Sequence, residues 1–217
     1  FFAFSDQDDI WNEDKLSNGM KLILDTSNKF SLYCSRTEII NKKGTFLGYS
    51  PLFRMKPSIR NALVQSLAGG NTMIFNNKLR EELKNIKYNS DIVAHDWLIY
   101  QITCGLGGNV IYDHNPSLKY RQHEKNLIGS NQGIIARVIR IRKLLNGSFK
   151  KWNDSNIKIL TSFKHKFTNE ALEEIDHFKN LRLNYVYKIK NLFNLRIYRQ
   201  TASGNIALII SVFLNKL

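Results

Sequence analysis

The sequence predicts an α/β layered fold followed by a mainly helical, basic C-terminal region, and three observations predict it. Over residues 1–132, short apolar runs alternate with stretches of helical periodicity, the arrangement of a sheet covered by helices. Beyond residue 133 the helical period dominates. Charge divides at the same place: residues 1–132 carry 16 basic and 13 acidic side chains, net +3, whereas residues 133–217 carry 16 and 5, net +11. The expected organisation is therefore two regions, 1–132 and 133–217, with different partners.

Taken in order, residues 1–4 form an apolar run expected to be a strand, which ends in the acidic stretch Ser5-Asp6-Gln7-Asp8-Asp9. A helix is expected over 13–24 and a β-rich segment over 31–40, up to the turn Asn41-Lys42-Lys43-Gly44. Residues 58–67 have helical composition with Pro57 just ahead. Gly69-Gly70 breaks that pattern, and 71–75 is expected to be a short strand. Helices follow over 77–86 and 96–104, the second ended by 105–108, and 109–112 is a last apolar strand.

In the second region, Ile134, Ile135, Val138, Ile141 and Leu145 share one helical face while Arg137, Arg140 and Lys143 occupy another. Leu181, Leu183, Tyr185, Tyr187 and Ile189 alternate with polar residues at a strand period, but their flanks are helix-like, and helix is the expectation there.

Composition limits the function classes. With 43% hydrophobic and 12% aromatic residues in 217, there is material for a packed core, and three prolines argue against a low-complexity chain. Cys34 and Cys104 are too few for a disulfide framework or a cysteine-based zinc site and read as core thiols. No run reaches the roughly 18 apolar residues of a membrane span; the nearest, 206–214, is too short. The chain opens on Phe1 without an initiator Met, inside an apolar pattern, which leads to the expectation of a segment upstream.

Four constellations carry candidate chemistry. Three carboxylates within Asp6-Gln7-Asp8-Asp9 repel one another unless a cation or solvent compensates, and oxygen ligands of this density suit Mg²⁺ or Mn²⁺. An acidic turn capping the next helix explains them equally. Asp96, in Ala94-His95-Asp96-Trp97, stands at a helix start, where the dipole favours an ionised carboxylate fit to act as a base; an ordinary cap beside a core Trp97 is the plainer reading. Tyr120-Arg121-Gln122-His123 offers a guanidinium for phosphate oxygens and an imidazole for a metal. Gly69-Gly70-Asn71-Thr72 lets a substrate approach the backbone, or simply turns the chain.

In this order the four resemble the family 2 glycosyltransferases of the GT-A (nucleotide-diphospho-sugar transferase) fold, especially bacterial rhamnosyltransferase-like enzymes of surface-polysaccharide assembly. The matching text is Phe4-Ser5-Asp6-Gln7-Asp8-Asp9-Ile10-Trp11, Gly70-Asn71-Thr72-Met73-Ile74-Phe75-Asn76, His95-Asp96-Trp97, and Tyr120-Arg121-Gln122-His123 with Asn126 and Gly129. It covers roughly residues 1 to 132 and implies a partial GT-A fold lacking its N-terminal, nucleotide-binding strands. Such a chain is expected to bind nucleotide poorly.

The resemblance implies that Asp6 and Asp8 match the Asp-x-Asp motif holding a divalent metal, Mg²⁺ or Mn²⁺, with His123 as a further ligand. It implies Asp96 as the catalytic base of an inverting transfer. Gly69 and Gly70 match the glycine-rich loop near donor and acceptor, and Asp9, Trp11, Asn71, His95, Trp97, Tyr120 and Arg121 lie in the matching stretches as expected substrate contacts. His95 departs from the family pattern, which often has Glu there. The implied partners are a nucleotide-sugar donor and a glycan or lipid-linked acceptor, at the inner, cytoplasmic face of a bacterial cell membrane.

The basic C-terminal region suits an anionic membrane surface, at about 1 kcal/mol per Lys or Arg near it; helices packed on the first region with solvated charges suit it too. A nucleic-acid-binding module is the rival from another class, with Tyr185, Tyr187, Phe193 and Tyr198 set among Lys188, Lys190, Arg196 and Arg199. No zinc-finger or RNP signature supports it, and Asp6 to Asp9 would repel a phosphate backbone, so no nucleic acid is expected. An inactive, truncated remnant is the third alternative.

Overall fold

The computed structural model describes residues 1–86, 91–122, 146–191 and 194–217. The expected basic helix over 134–145, and His123 with Asn126 and Gly129, lie outside the described residues. The first region is a mixed α/β structure of two small sheets. One holds β1 (Phe2–Ala3), β6 (Ile74–Phe75), β3 (Ser31–Ser35) and β7 (Asn109–Asp113), in that order. The other holds β2 (Ile10–Trp11), β8 (Leu118–Arg121), β4 (Glu38–Ile40) and β5 (Phe46–Tyr49). β3 and β7 run parallel, with Leu32 opposite Val110, and the chain carries both tracks into the second sheet, where β4 and β8 run parallel with Ile39 opposite Tyr120. All five residues of β3 are buried, so its sequence reads as a continuous run without alternation.

Helices α1 (Lys15–Leu24), α2 (Ile59–Ala62), α3 (Asn77–Leu83) and α4 (His95–Gly105) surround these strands. Local chemistry sets their starts: the Ser58 hydroxyl accepts from the Asn61 amide, and the Asn76 side chain from the Leu79 amide at 3.0 Å. α4 is buried from Trp97 to Thr103, so it reads as apolar nearly all round.

The expected helices over 13–24, 77–86 and 96–104 form within a few residues of those bounds. Three expectations change in detail. The expected helix over 58–67 is one turn, α2. The segment 31–40 is two strands in different sheets, and 71–75 opens with a 3₁₀ turn, Gly70–Thr72, before β6. The ambiguous stretch around 181–189 is helical: α6 (Asn169–Leu183) ends at Asn184, whose side chain caps α7 (Tyr185–Lys190) by accepting from the Tyr187 amide at 2.9 Å. The alternation there is the junction of two helices.

With α5 (Ser148–Ser162) and α8 (Ala202–Phe213), these helices complete the second region. One hydrophobic core joins both regions: Leu32, Met73, Leu98 and Ile102 cluster with Phe163, Phe167, Ile175, Phe178 and Leu208. Polar links reinforce it. The fully buried Glu174 of α6 takes Arg60 of α2 at 2.8 Å and also Arg196, while Asn61 Nδ2 donates to the Tyr198 carbonyl at 3.0 Å. The second region thus braces α2 and α4 from behind.

Candidate active site

The loop between β1 and β2 carries the acidic residues, and Asp9 is its anchor. Its Oδ2 accepts from Asn71 Nδ2, and its Oδ1 from the Arg121 amide at 3.1 Å. Arg121 Nε donates to the Asp8 carbonyl at 3.0 Å, and its Nη1 to the Lys42 carbonyl at 2.9 Å. The guanidinium therefore ties the acidic loop to the turn at Asn41 and Lys42 by their backbones. Partial burial raises the Asp9 pKa above the usual carboxylate range, against the lowering by its bonds to Asn71 and Arg121.

Beneath this loop lies Lys15, a residue sequence reasoning missed. Its side chain is 1% exposed, its Nζ donates to the Asn71 carbonyl at 2.6 Å, and it sits 3.5 Å from the centre of the Trp11 ring. Burial pulls its pKa down to about 8, opposed by the carboxylates of Asp9 and Asp6. Its position was itself a signal. A lysine opening a helix opposes the macrodipole and calls for nearby negative charge.

Asp96 stands in the first turn of α4. Ala94, at the N-cap position, has no side chain to cap with, and the Asp96 carboxylate accepts the Trp97 amide through Oδ1 at 2.8 Å. The Ser66 hydroxyl, a second residue missed from sequence, donates to Oδ2 at 3.3 Å. Burial raises the Asp96 pKa, and those hydrogen bonds with the neighbouring His95 limit the rise. Burial that makes this carboxylate more basic than one in water suits it to proton abstraction.

The glycine turn links the two carboxylate centres. A Cβ on Gly70 would collide with Nε2 of His95, and the Phe4 ring meets the same imidazole edge-on at 4.9 Å between centres. Gly70 thus touches the Asp96 side while its neighbour Asn71 holds Asp9. Gly69 supports the turn by its carbonyl, which accepts from the Thr72 hydroxyl at 2.8 Å. The contacts run Arg121 to Asp9 to Asn71, then Gly70 to His95, so all four sequence stretches meet.

Trp97 lies inside, its Nε1 donating to the Ala62 carbonyl at 2.6 Å, where it fixes α4 on α2. Tyr120 is half-buried in β8. A hollow of about 290 Å³, lined by Phe4, Phe75, Leu83, Ile92, His95 and Leu98, opens beside His95. Its surface is mainly apolar, with Arg80 and Lys84 also in the lining.

Asp6 and Asp8 supply a donor set that suits Mg²⁺ or Mn²⁺, ions held by one or two carboxylates together with phosphate and water. Asp9 is taken up by Asn71 and Arg121. Among the described residues no three His, Cys, Asp or Glu side chains cluster where they could hold a metal ion.

Five of the eight residues that suggested nucleic-acid binding are engaged internally or buried, while Tyr185 and Lys190 are exposed. Tyr187 bonds His177 at 2.7 Å, the Tyr198 hydroxyl donates to the Lys56 carbonyl at 2.5 Å, Arg199 donates to the Val64 carbonyl at 2.7 Å and Arg196 holds Glu174. Lys188 is buried, and Phe193 lies outside the described residues.

Comparison with known proteins supports a glycosyltransferase, at that level of description. The chain is 26% identical over 163 residues to the dTDP-rhamnosyl transferase RfbG of Shigella flexneri, a match covering 70% of this chain and 53% of that protein. The chain thus spans about half the length of the curated relative it matches. No family model matches, and no solved structure matches.

Proposed function

We propose that this chain carries the metal, base and acceptor elements of an inverting glycosyltransferase of the family 2, GT-A type. It moves a sugar, rhamnose by the name of its relative, from a nucleotide-sugar donor to a glycan or lipid-linked acceptor in cell-surface polysaccharide biosynthesis. The catalytic elements fall within residues 1–132, and the reaction takes place on the inner face of the bacterial cell membrane.

In this reading Asp96 accepts the proton of the acceptor hydroxyl. The freed oxygen attacks the anomeric carbon as the bond to the nucleotide diphosphate breaks on the opposite face, which inverts the configuration. Gly70 and His95 set the floor of the site beside Asp96, and Asn71, Asp9 and Arg121 hold the acidic loop in register. Asp6 and Asp8, with His123, are the residues that would hold Mg²⁺ or Mn²⁺; when bound, the ion supplies positive charge to the departing diphosphate.

The observation that carries the proposal is the contact path from Arg121 through Asp9 and Asn71 to Gly70 and His95, the residue before half-buried Asp96, which links the separated motifs. The test is transfer by the complete enzyme from dTDP-rhamnose in the presence of Mn²⁺. Expected are release of dTDP and a product of inverted anomeric configuration. With Asp96→Asn, donor binding by calorimetry stays near normal while product formation fails. Retained configuration, or full turnover by Asp96→Asn, overturns the assignment.

A further inference from the structure

The strongest anomaly outside the site is α8. From Ala202 to Leu214 it has no charged side chain, yet one face is open: Ile206 is 61% exposed and Phe213 55%, with Ile209 and Ile210 between them. These residues fall at i, i+3, i+4 and i+7, a single stripe, while Leu208 and Val212 face the core. A helix face turned to water is ordinarily polar. The neighbouring α7 repeats the anomaly with exposed Val186 and Ile189. The two are joined, since Lys188 Nζ of α7 donates to the Asn215 side chain just past α8, and Arg182 Nε of α6 donates to the Leu217 carbonyl at 2.9 Å.

The charge of this stretch of sequence has one sign, although Arg182 is paired with Asp154, Lys179 with Asp176 and Arg196 with Glu174 from neighbouring turns and elements. Residues 177–217 contain seven Lys or Arg and no Asp or Glu. Exposed Lys190 ends α7 and half-buried Lys216 follows α8. Against a second copy of this chain, two such cationic faces would repel. A nucleic acid would meet in α8 a helix with no cation for its phosphates. An anionic bilayer satisfies both properties: headgroups for the cations and acyl chains for the isoleucines and Phe213. The uncharged segment is too short to cross, and among the described residues no helix is long and apolar enough to do so, so the helix would lie in the interface plane.

We infer that the exposed faces of α7 and α8 are a docking surface for an anionic lipid bilayer, with Ile206, Ile209, Ile210 and Phe213 inserted below the headgroups. This deepens the membrane placement above and rests on it for setting, not on the transfer chemistry.

The test is flotation with vesicles of phosphatidylcholine alone and of phosphatidylcholine with phosphatidylglycerol. The chain is expected to float with the anionic vesicles, and Ile209→Ser/Phe213→Ser, both surface changes, to lose about tenfold in partitioning. The thermal midpoint and turnover on a water-soluble acceptor should not change. Equal flotation of chain and variant, or none with anionic vesicles, overturns the proposal. So does a dimer on size exclusion that the variant dissociates, which would make the face a contact between copies. Flotation needs no catalysis, so a failed transfer assay leaves this result standing, and the reverse.

Discussion

The two halves of the molecule depart from the ordinary in opposite directions. In residues 1–122 the unusual feature is polar groups taken inside: Lys15 and Asn71 are buried and Asp9 half-buried, joined by hydrogen bonds across long stretches of chain, and half-buried Asp96 bonds Ser66. In residues 146–217 it is one apolar stripe left outside on α8 and continued on α7, whereas exposed apolar residues of the first half, Leu24, Phe46 and Leu47 among them, are spread over separate elements; Glu174 and Lys188 are buried charges there. Burying polar groups costs free energy unless they are paired, so a chain that retains several in one place concentrates chemistry there. Exposed apolar surface marks contact with something else. The contrast agrees with the proposal of reaction in the first half and placement in the second.

The sharpest way to break this contrast is Asp96→Asn. If the first half alone holds the reaction, turnover falls by about 10²- to 10⁴-fold, the range of general-base contributions. Steady-state kinetics with a soluble acceptor measures it. Lys15→Met is expected to lower turnover by roughly tenfold, since the acidic loop and glycine turn lose a shared tie worth about one charge-assisted hydrogen bond. Its stability should differ little at neutral pH, because a buried cation is expensive to keep. The folded-state pKa of Lys15 is near 8, below its ordinary 10.5, so between those values the unfolded chain holds a proton the folded chain has shed. Stability then rises with pH over that window, and denaturant midpoints should show the rise in the native chain and less of it in Lys15→Met.

Glu174→Gln probes the junction. Its arginine partners are partly exposed, at 41% and 34%, so the expected loss is about 1–3 kcal/mol in unfolding free energy. One cooperative transition, lowered as a whole, is the expected melt; two separated transitions would make the halves independent. The smallest effect expected is in the acid limb of kcat/KM. Burial of Asp96 sets it above the ordinary carboxylate value near 3.9. Ser66→Ala removes a donor to the ionised form and should move that limb to higher pH.

Much of the first half was readable because its helices repeat at a clean period: α4 shows apolar residues at helical spacing and Gly105 at its end. Strands β2 and β8 were not, being two and four residues long and defined by partners distant along the chain, Ile10 opposite Lys119 and Ile39 opposite Tyr120. β5 was hidden because Phe46, Leu47 and Tyr49 are mostly exposed and show no inward face. Asp9, Asn71 and Arg121 were identifiable from the motifs. Lys15 was not, because a lysine in an amphipathic helix normally marks the face in water. Its burial follows from Trp11 and Asn71, which are brought over it by tertiary contacts.

The anchoring of Asp9 on the Arg121 amide spans 112 positions of chain. A newly made polypeptide grows at about 5–20 residues per second. Arg121 is therefore synthesised several seconds after Asp9, on that scale, and the acidic loop spends that interval on the ribosome without its clasp. Parallel pairings across such distances are also slow to form. Assembly of the reaction centre should thus trail the helices, and nascent chains stalled before residue 121 should show protected α1 amides beside a protease-sensitive loop at Asp6 to Asp9.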